Sequence, residues 1–311
     1  MTDHGSSRLE EDPICSRLGK VSTKAGLFTV LAIDHVGSFA QTVRPDRPDS
    51  MTGAQIVEAK HPIIAALGPI SRAVLIDPAY LAVRSSAGKG EGALTDLGLI
   101  VGIEDGDYAD VLTTPRLLAG WNAERAAELG ADAVKISMYF DPRGDSSAAE
   151  AFVTEVVDQC RKADVPLFCE PLALYQAPEE RANAVLEGVR RFGGLGADVL
   201  KLQFPALPEA SEDRAVWDQA CAEINRLSPV PWVILSEGGD YGLFRDQVEI
   251  AGRAGASGFL GGRAIWREMA TDRSRTREAQ DRLTELSEVA HAHGIGWRAS
   301  RAERRVRPIG G

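Results

Sequence analysis

The sequence predicts an α/β chain closed into a (β/α)8 TIM barrel, and three observations carry that expectation. Eight short apolar runs recur at an even pace along the 311 residues, strand-length and almost without polar interruption, as strands buried on both faces should be. Amphipathic segments of helical length separate most of them. Three junctions repeat one pattern, Leu129-Gly130-Ala131-Asp132, Leu195-Gly196-Ala197-Asp198 and Ala254-Gly255-Ala256-Ser257, in which a glycine past a helix end supplies a left-handed cap before the next apolar run. Repeated β-α units make a parallel sheet, and eight in roughly 250 residues suggest closure. An open doubly wound sheet is the rival. Against it, Ile33-Asp34-His35-Val36-Gly37 follows the first strand where a dinucleotide-binding sheet carries GxGxxG.

Taken in order, the strand-like runs are Phe28 to Ile33, Ala73 to Ile76, Gly98 to Ile103, Ala133 to Met138, Leu167 to Glu170, Val199 to Leu202, Trp232 to Leu235 and Gly258 to Leu260. Helical patterns cover Thr52 to Ala66, Pro115 to Leu129, Ser147 to Lys162, Pro178 to Phe192, Glu209 to Arg226, Tyr241 to Arg253 and about Arg273 to His291. Leu81 to Leu97, rich in Gly and Ser, reads as a loop where the second helix belongs. The chain thus divides into a polar N-terminal extension (1-24), the barrel (25-293) and a basic C-terminal tail (294-311) holding Arg298, Arg301, Arg304, Arg305 and Arg307. A frayed solvated end, a subunit contact and an anion clamp are all compatible with that tail.

Composition narrows the function. The net charge of −10 argues against nucleic-acid binding over the body of the protein, because backbone phosphates need a basic face. The apolar runs fall far short of the roughly 20 residues that span a bilayer, and the first 20 residues carry no apolar export segment, so the expected location is the cytoplasm, with no membrane partner. Cys15, Cys160, Cys169 and Cys221 lie far apart without a CxxC pair and read as reduced thiols. A homo-oligomer is expected from the common habit of soluble enzymes.

In such a barrel the chemistry sits at the carboxyl ends of the strands. Asp34, Asp77, Glu104, Lys135, Glu170 and Lys201 end or interrupt apolar strands there. Two lysines within strands, in Ala133-Val134-Lys135-Ile136 and Val199-Leu200-Lys201-Leu202, are the unusual feature, since a desolvated ammonium costs several kcal/mol unless paired or deprotonated. A desolvated lysine beside another cation loses its proton more easily, and a neutral amine attacks a ketone to form an imine. Lys135 and Lys201 supply such a pair, with Glu170 between them to move protons. The competing reading is a buried Lys-Glu-Lys network that only fills the barrel.

Small residues follow the last two strands in Ser236-Glu237-Gly238-Gly239-Asp240 and Gly261-Gly262-Arg263-Ala264. Backbone N–H groups, a short helix starting near Arg263 and its guanidinium would hold a phosphate there; ordinary tight turns are the alternative. Metal-assisted aldol chemistry needs histidines at strand ends. Of the five histidines only His35 is so placed, and it is better suited to contacting substrate or orienting Asp34. No metal and no cofactor are expected.

The segments Leu31-Ala32-Ile33-Asp34, Leu75-Ile76-Asp77-Pro78, Val134-Lys135 with Tyr139-Phe140-Asp141-Pro142, Cys169-Glu170-Pro171, Val199-Leu200-Lys201, Leu235-Ser236-Glu237-Gly238 and Gly262-Arg263-Ala264-Ile265-Trp266 form an ordered set across about residues 25 to 290. In that set the chain resembles the class I aldolases of the tagatose 1,6-bisphosphate aldolase type and the related sulfofructose-phosphate aldolases. The resemblance implies that Lys201 forms a Schiff base, that Glu170 is the acid and base, and that Asp34 and Lys135 assist. It further implies that Ser236, Gly262 and Arg263 hold the phosphate of a dihydroxyacetone phosphate half, the other product being an aldehyde. His35, Asp77 and Gly238 complete the expected substrate contacts.

One departure stands out. Such proteins usually carry Gln-Arg after the first-strand Asp, whereas His35-Val36 stands here, which removes a bidentate anion contact from the aldehyde half. Arg44, Arg72, Arg84 and Lys89 are candidate replacements. Two other functions remain open at this point: a non-catalytic sensor of sugar phosphates on the same barrel, which would bind without turnover, and a metal-dependent lyase, which would be inhibited by chelators.

Overall fold

A computed structural model describes residues 12–86, 97–106 and 114–306. Eight parallel strands, β1 (Phe28–Ala32), β2 (Ala73–Ile76), β3 (Gly98–Gly102), β4 (Ala133–Phe140), β5 (Leu167–Ala173), β6 (Val199–Leu202), β7 (Trp232–Leu235) and β8 (Gly258–Gly261), pair in sequence order. β8 pairs back onto β1 from Phe28 opposite Gly258 to Leu31 opposite Gly261, closing the barrel. Gly258 makes that closure feasible: its φ is +117°, and a Cβ would stand 2.2 Å from the Phe28 carbonyl oxygen. The (β/α)8 TIM barrel expected from the sequence is the fold observed.

The helices among the described residues are, in chain order, α1 (Pro13–Lys20), α2 (Gly37–Val43), α3 (Gly53–Leu67), α4 (Pro78–Ser86), α5 (Ala123–Glu128), α6 (Ser147–Lys162), α7 (Arg181–Phe192), α8 (Arg214–Leu227), α9 (Tyr241–Arg253), α10 (Arg263–Thr271), α11 (Thr276–His293) and α12 (Trp297–Val306). None is long and apolar enough to cross a membrane. The glycines of the three repeated junctions take the left-handed conformation expected of them, with φ of +98° at Gly130, +104° at Gly196 and +107° at Gly255.

Several boundaries differ from the sequence reading for local reasons. Within the stretch Leu81 to Leu97, helix α4 runs to Ser86, started by Pro78 at its first position. The expected helix from Pro115 shrinks to α5, because Leu117 pairs with Glu104, Gly120 turns at φ +77° and Asn122 caps the helix by accepting from Arg125 N. The expected start at Glu209 moves to Arg214, where Asp213 accepts from Ala215 N.

Both ends of the described residues pack. Ile14, Cys15, Leu18 and Val21 join Phe28, Val30, Phe168, Val199 and Val233 in the core inside the barrel, together with Trp297. The basic tail is helical over α12: Arg301 donates to Asp198 Oδ1 at 2.8 Å and Arg304 to Asn225 Oδ1 at 2.7 Å. A second, larger apolar layer fills the space between the strands and the outer helices.

Candidate active site

Side chains alternate along a strand, so the layer above the apolar interior belongs to residues two positions further on. Val199 is followed by Lys201, Ala133 by Lys135 and Phe168 by Glu170; just past the strand ends, Ala32 is followed by Asp34 and Gly102 by Glu104. Gly102 borders the same layer, where a Cβ would stand in ordinary contact, 3.4 Å from both Asp34 Oδ2 and Glu104 Oε2.

Five charged groups therefore converge. Lys135 Nζ lies 3.0 Å from Asp34 Oδ2, 2.5 Å from Glu104 Oε1 and 3.0 Å from Glu170 Oε2. Lys201 Nζ donates to the same Glu170 Oε2 at 2.8 Å. Both lysines and Glu170 are buried. The sequence reading treated Lys135 as a cation acting on Lys201; the structure corrects that picture, because three carboxylates balance the Lys135 charge. Lys201 has Glu170 as its ion-pair partner and faces open space on the other side.

That space is a cavity of about 800 Å³ at the carboxyl end of the barrel, lined by Lys201, Glu170, Tyr139, His35, Ser236 and Arg263 among others, within the range of small-molecule sites. Asp34 Oδ1, His35 Nδ1, Glu104 Oε2 and Arg263 Nε are buried there without a hydrogen-bond partner. Buried polar atoms are normally matched, so four unmatched ones around one cavity mark a place prepared for a polar ligand. Burial pushes the Asp34 carboxyl up, but Lys135, His35 and Lys201 together outweigh it and hold the group ionised far below the usual carboxylate range. Burial pushes His35 down; Asp34 opposes the shift, while Arg263 and the two lysines add to it, and the ring loses its proton near pH 4. His35 is therefore neutral in ordinary buffers, and its ring makes a T-shaped contact with Trp266, the centroids 6.1 Å apart. Burial, then the nearby Glu170 and Glu237, raise the Tyr139 hydroxyl above its usual value.

At the β7 and β8 corner, Gly262 N donates to Ser236 Oγ at 3.1 Å, so these two expected anion contacts already meet each other, leaving the Ser236 hydroxyl hydrogen to donate onward. Gly238 has φ +71°, and a Cβ on it would come within 2.8 Å of Arg263 Nε: the guanidinium lies directly over this glycine. Arg263 opens α10, whose N-terminus reaches the cavity. Asp77 borders the cavity but is committed elsewhere, one oxygen bonded to the fully buried Lys60 and the other accepting Tyr80 N at 3.0 Å.

Of the cations proposed to replace the missing arginine, Arg72 donates to Ser22 O at the opposite end of the barrel, and Arg44 reaches Ser50 on the surface. Lys89 lies outside the described residues, as does the side chain of Arg84. Among the described residues no three His, Cys, Asp or Glu side chains are arranged to hold a metal ion.

The sequence reading noted Glu104 as a strand end without giving it a role, and it missed Ser137, Tyr139, Gln203, Glu237 and Arg181. Ser137 donates to Glu104 Oε1 at 2.9 Å. Ser137 and Gln203 each stand two positions beyond a strand lysine on the same face, a spacing that was available as a signal. Arg181, from α7, offered none.

A family profile described as DeoC/LacD family aldolase matches residues 29–268. Tagatose 1,6-diphosphate aldolase 1 of Streptococcus mutans serotype c is 29% identical over 322 residues, covering 91% of this chain and 97% of that protein. Tagatose 1,6-diphosphate aldolase 2 of Streptococcus pyogenes serotype M1 is 30% identical over 269 residues, covering 78% of this chain and 80% of its own length. Among solved structures, a Schiff base forming fructose-1,6-bisphosphate aldolase superposes with a TM-score of 0.61 at 19% identity, covering 88% of this chain and 98% of that one. An archaeal fructose-1,6-bisphosphate aldolase with its catalytic Lys covalently bound to a carbinolamine gives 0.64 at 18% identity over 89% and 98%. At these identities the structural likeness bears on the fold.

Proposed function

Because the chain belongs to the DeoC/LacD family of aldolases, whose profile spans residues 29–268, we propose that it cleaves a ketose 1-phosphate or bisphosphate through a Schiff base on Lys201, releasing dihydroxyacetone phosphate and an aldehyde. The observation that carries the reading is the Lys201 ammonium, buried at the floor of the cavity with Glu170 Oε2 at 2.8 Å as its proton acceptor. The relatives named tagatose 1,6-diphosphate aldolase support the substrate class.

Lys201 passes a proton to Glu170 and its amine adds to the C2 carbonyl, forming a carbinolamine. Glu170 returns the proton to the departing hydroxyl, and water leaves an iminium. Glu170 then takes the proton of the C4 hydroxyl as the C3–C4 bond breaks. The bonding pair moves into the iminium to give an enamine, and the aldehyde departs. Protonation at C3 and addition of water free dihydroxyacetone phosphate and restore the amine. Lys135 and Asp34 hold Glu170 and the substrate hydroxyls in place. Arg263, the Ser236 hydroxyl and the N-terminus of α10 receive the phosphate. Gly238 lets the guanidinium approach, and His35 meets the sugar as a neutral ring. The chemistry asks for no metal and no cofactor.

The test is chemical. Borohydride reduction in the presence of dihydroxyacetone phosphate leaves a stable adduct on the Lys201 peptide, read by mass spectrometry, and Lys201→Met loses both the adduct and activity by on the order of 10⁴-fold or more. Retained turnover in Lys201→Met removes the proposal. A homo-oligomer in the cytoplasm belongs to the same reading, and light scattering on the purified protein measures the subunit number.

A further inference from the structure

Glu237 is an awkward residue for a phosphate site. It lies between Ser236 and Gly238, lines the cavity, and brings a carboxylate to the corner where Arg263 waits. Its backbone has φ +47°, in the left-handed region that a side chain bearing Cβ seldom adopts. Two neighbours account for it. Gln203 Nε2 donates to Glu237 Oε1 at 2.9 Å, and Arg181 Nη2 donates to Glu237 Oε2. Arg181 is 1% exposed, and its other nitrogens are fixed by Phe204 O at 2.6 Å and the Tyr175 hydroxyl at 2.5 Å. Gln203 is fixed in turn by Ala173 N, which donates to its Oε1 at 2.8 Å. A single buried guanidinium thus ties α7 to the ends of β5, β6 and β7.

We infer that Arg181 is a positioning residue for the phosphate end of the substrate: it neutralises Glu237 and pins the Ser236-Glu237-Gly238 turn in the shape that lets Arg263 lie over Gly238. The inference rests on the phosphate placement proposed above and extends it to a residue that does not line the cavity. Without Arg181 the Glu237 carboxylate faces the same space as the ligand's phosphate, and like charges at that range oppose binding. The turn also loses one of the contacts that hold its unusual backbone, while those of Gln203 at Glu237 and Arg267 at the Gly238 carbonyl remain.

The experiment is a mutant cycle read by equilibrium binding of a hexitol 1-phosphate, a probe without a ketone, with the unphosphorylated hexitol as control. Arg181→Met weakens the phosphorylated probe about tenfold and leaves the unphosphorylated one unchanged, and Arg181→Met with Glu237→Gln recovers most of the loss, because the exposed charge has gone. A uniform loss for both probes, or a double variant as weak as the single one, overturns the inference in favour of a purely structural arginine. Should Arg181→Met fail to fold, Arg181→Lys keeps the charge but cannot serve three acceptors at once, and the phosphorylated probe again weakens selectively; equal affinity to wild type overturns the proposal. Since the probe forms no imine, absence of the Lys201 adduct speaks against the Schiff base alone, whereas a wild-type protein that binds both probes equally speaks against the phosphate corner and the inference with it.

Discussion

The two ends of this barrel are built from the same eight strands and use burial in opposite ways. At the amino end, α1 and α12 bring Ile14, Leu18, Val21 and Trp297 onto the interior residues Phe28, Phe168 and Val199, and the charges beside them are matched. Asp198 accepts from Arg301 at 2.8 Å, from Arg161 at 3.1 Å and from Leu167 N at 3.0 Å, while Trp297 Nε1 donates to Ser22 Oγ at 3.0 Å. At the carboxyl end, five charged groups crowd one layer, and the unmatched atoms there belong to the ionisable side chains of Asp34, His35, Glu104 and Arg263 facing a cavity. The amino end also leaves the hydroxyls of Ser257 and Ser300 unmatched, but away from that cavity. One end spends its buried surface on holding the chain together; the other keeps bonding capacity in reserve for a ligand.

That division is open to direct attack. Glu170→Gln removes the proton carrier while preserving its shape, and kcat should fall by about 10²–10⁴-fold. A loss below tenfold would deny the mouth its chemical role. Trp297→Ala hollows the floor, and chemical denaturation should show a loss of about 3–5 kcal/mol with kcat of the folded protein within about twofold of wild type. A fall in kcat at full folding would show the ends to be coupled. The smallest effect concerns acid. His35 loses its proton near pH 4 in the folded protein against an ordinary value of 6.5, so the unfolded chain takes up that proton first. Stability from keeping the ring neutral is complete above pH 6.5 and disappears as the pH falls towards 4. His35→Gln should flatten that part of the stability curve by about 1 kcal/mol, a modest figure because the ring is 28% exposed. An unchanged curve would place the acid sensitivity elsewhere at the mouth.

How far the sequence revealed all this follows the same geography. The strands were legible because both faces of each are buried, which writes near-continuous apolar runs, and the same background made Lys135 and Lys201 conspicuous. Asp34 and Glu170 followed from their place at strand ends. The cage around Lys135 was not legible, because Asp34 and Glu104 approach it from strands distant in sequence and only closure brings them together. Arg181 and Glu237, 56 positions apart, meet for the same reason. The floor was not read: the first 24 residues are assigned to a polar extension, although Ile14, Leu18 and Val21 recur within them at helical spacing. How the Arg-rich tail is held was not legible, because its anchors, Asp198 and Asn225, lie on other elements.

Pairing β8 with β1 has a consequence for how copies of this chain meet. Among the described residues every barrel strand has a neighbour on both sides, so the barrel offers no unpaired ladder of backbone donors and acceptors onto which another molecule's strand could be added. The barrel strands are thus closed to strand addition, and the surface they leave to other copies is that of the outer helices and loops, where a few side chains can change without touching the hydrogen bonds of the sheet.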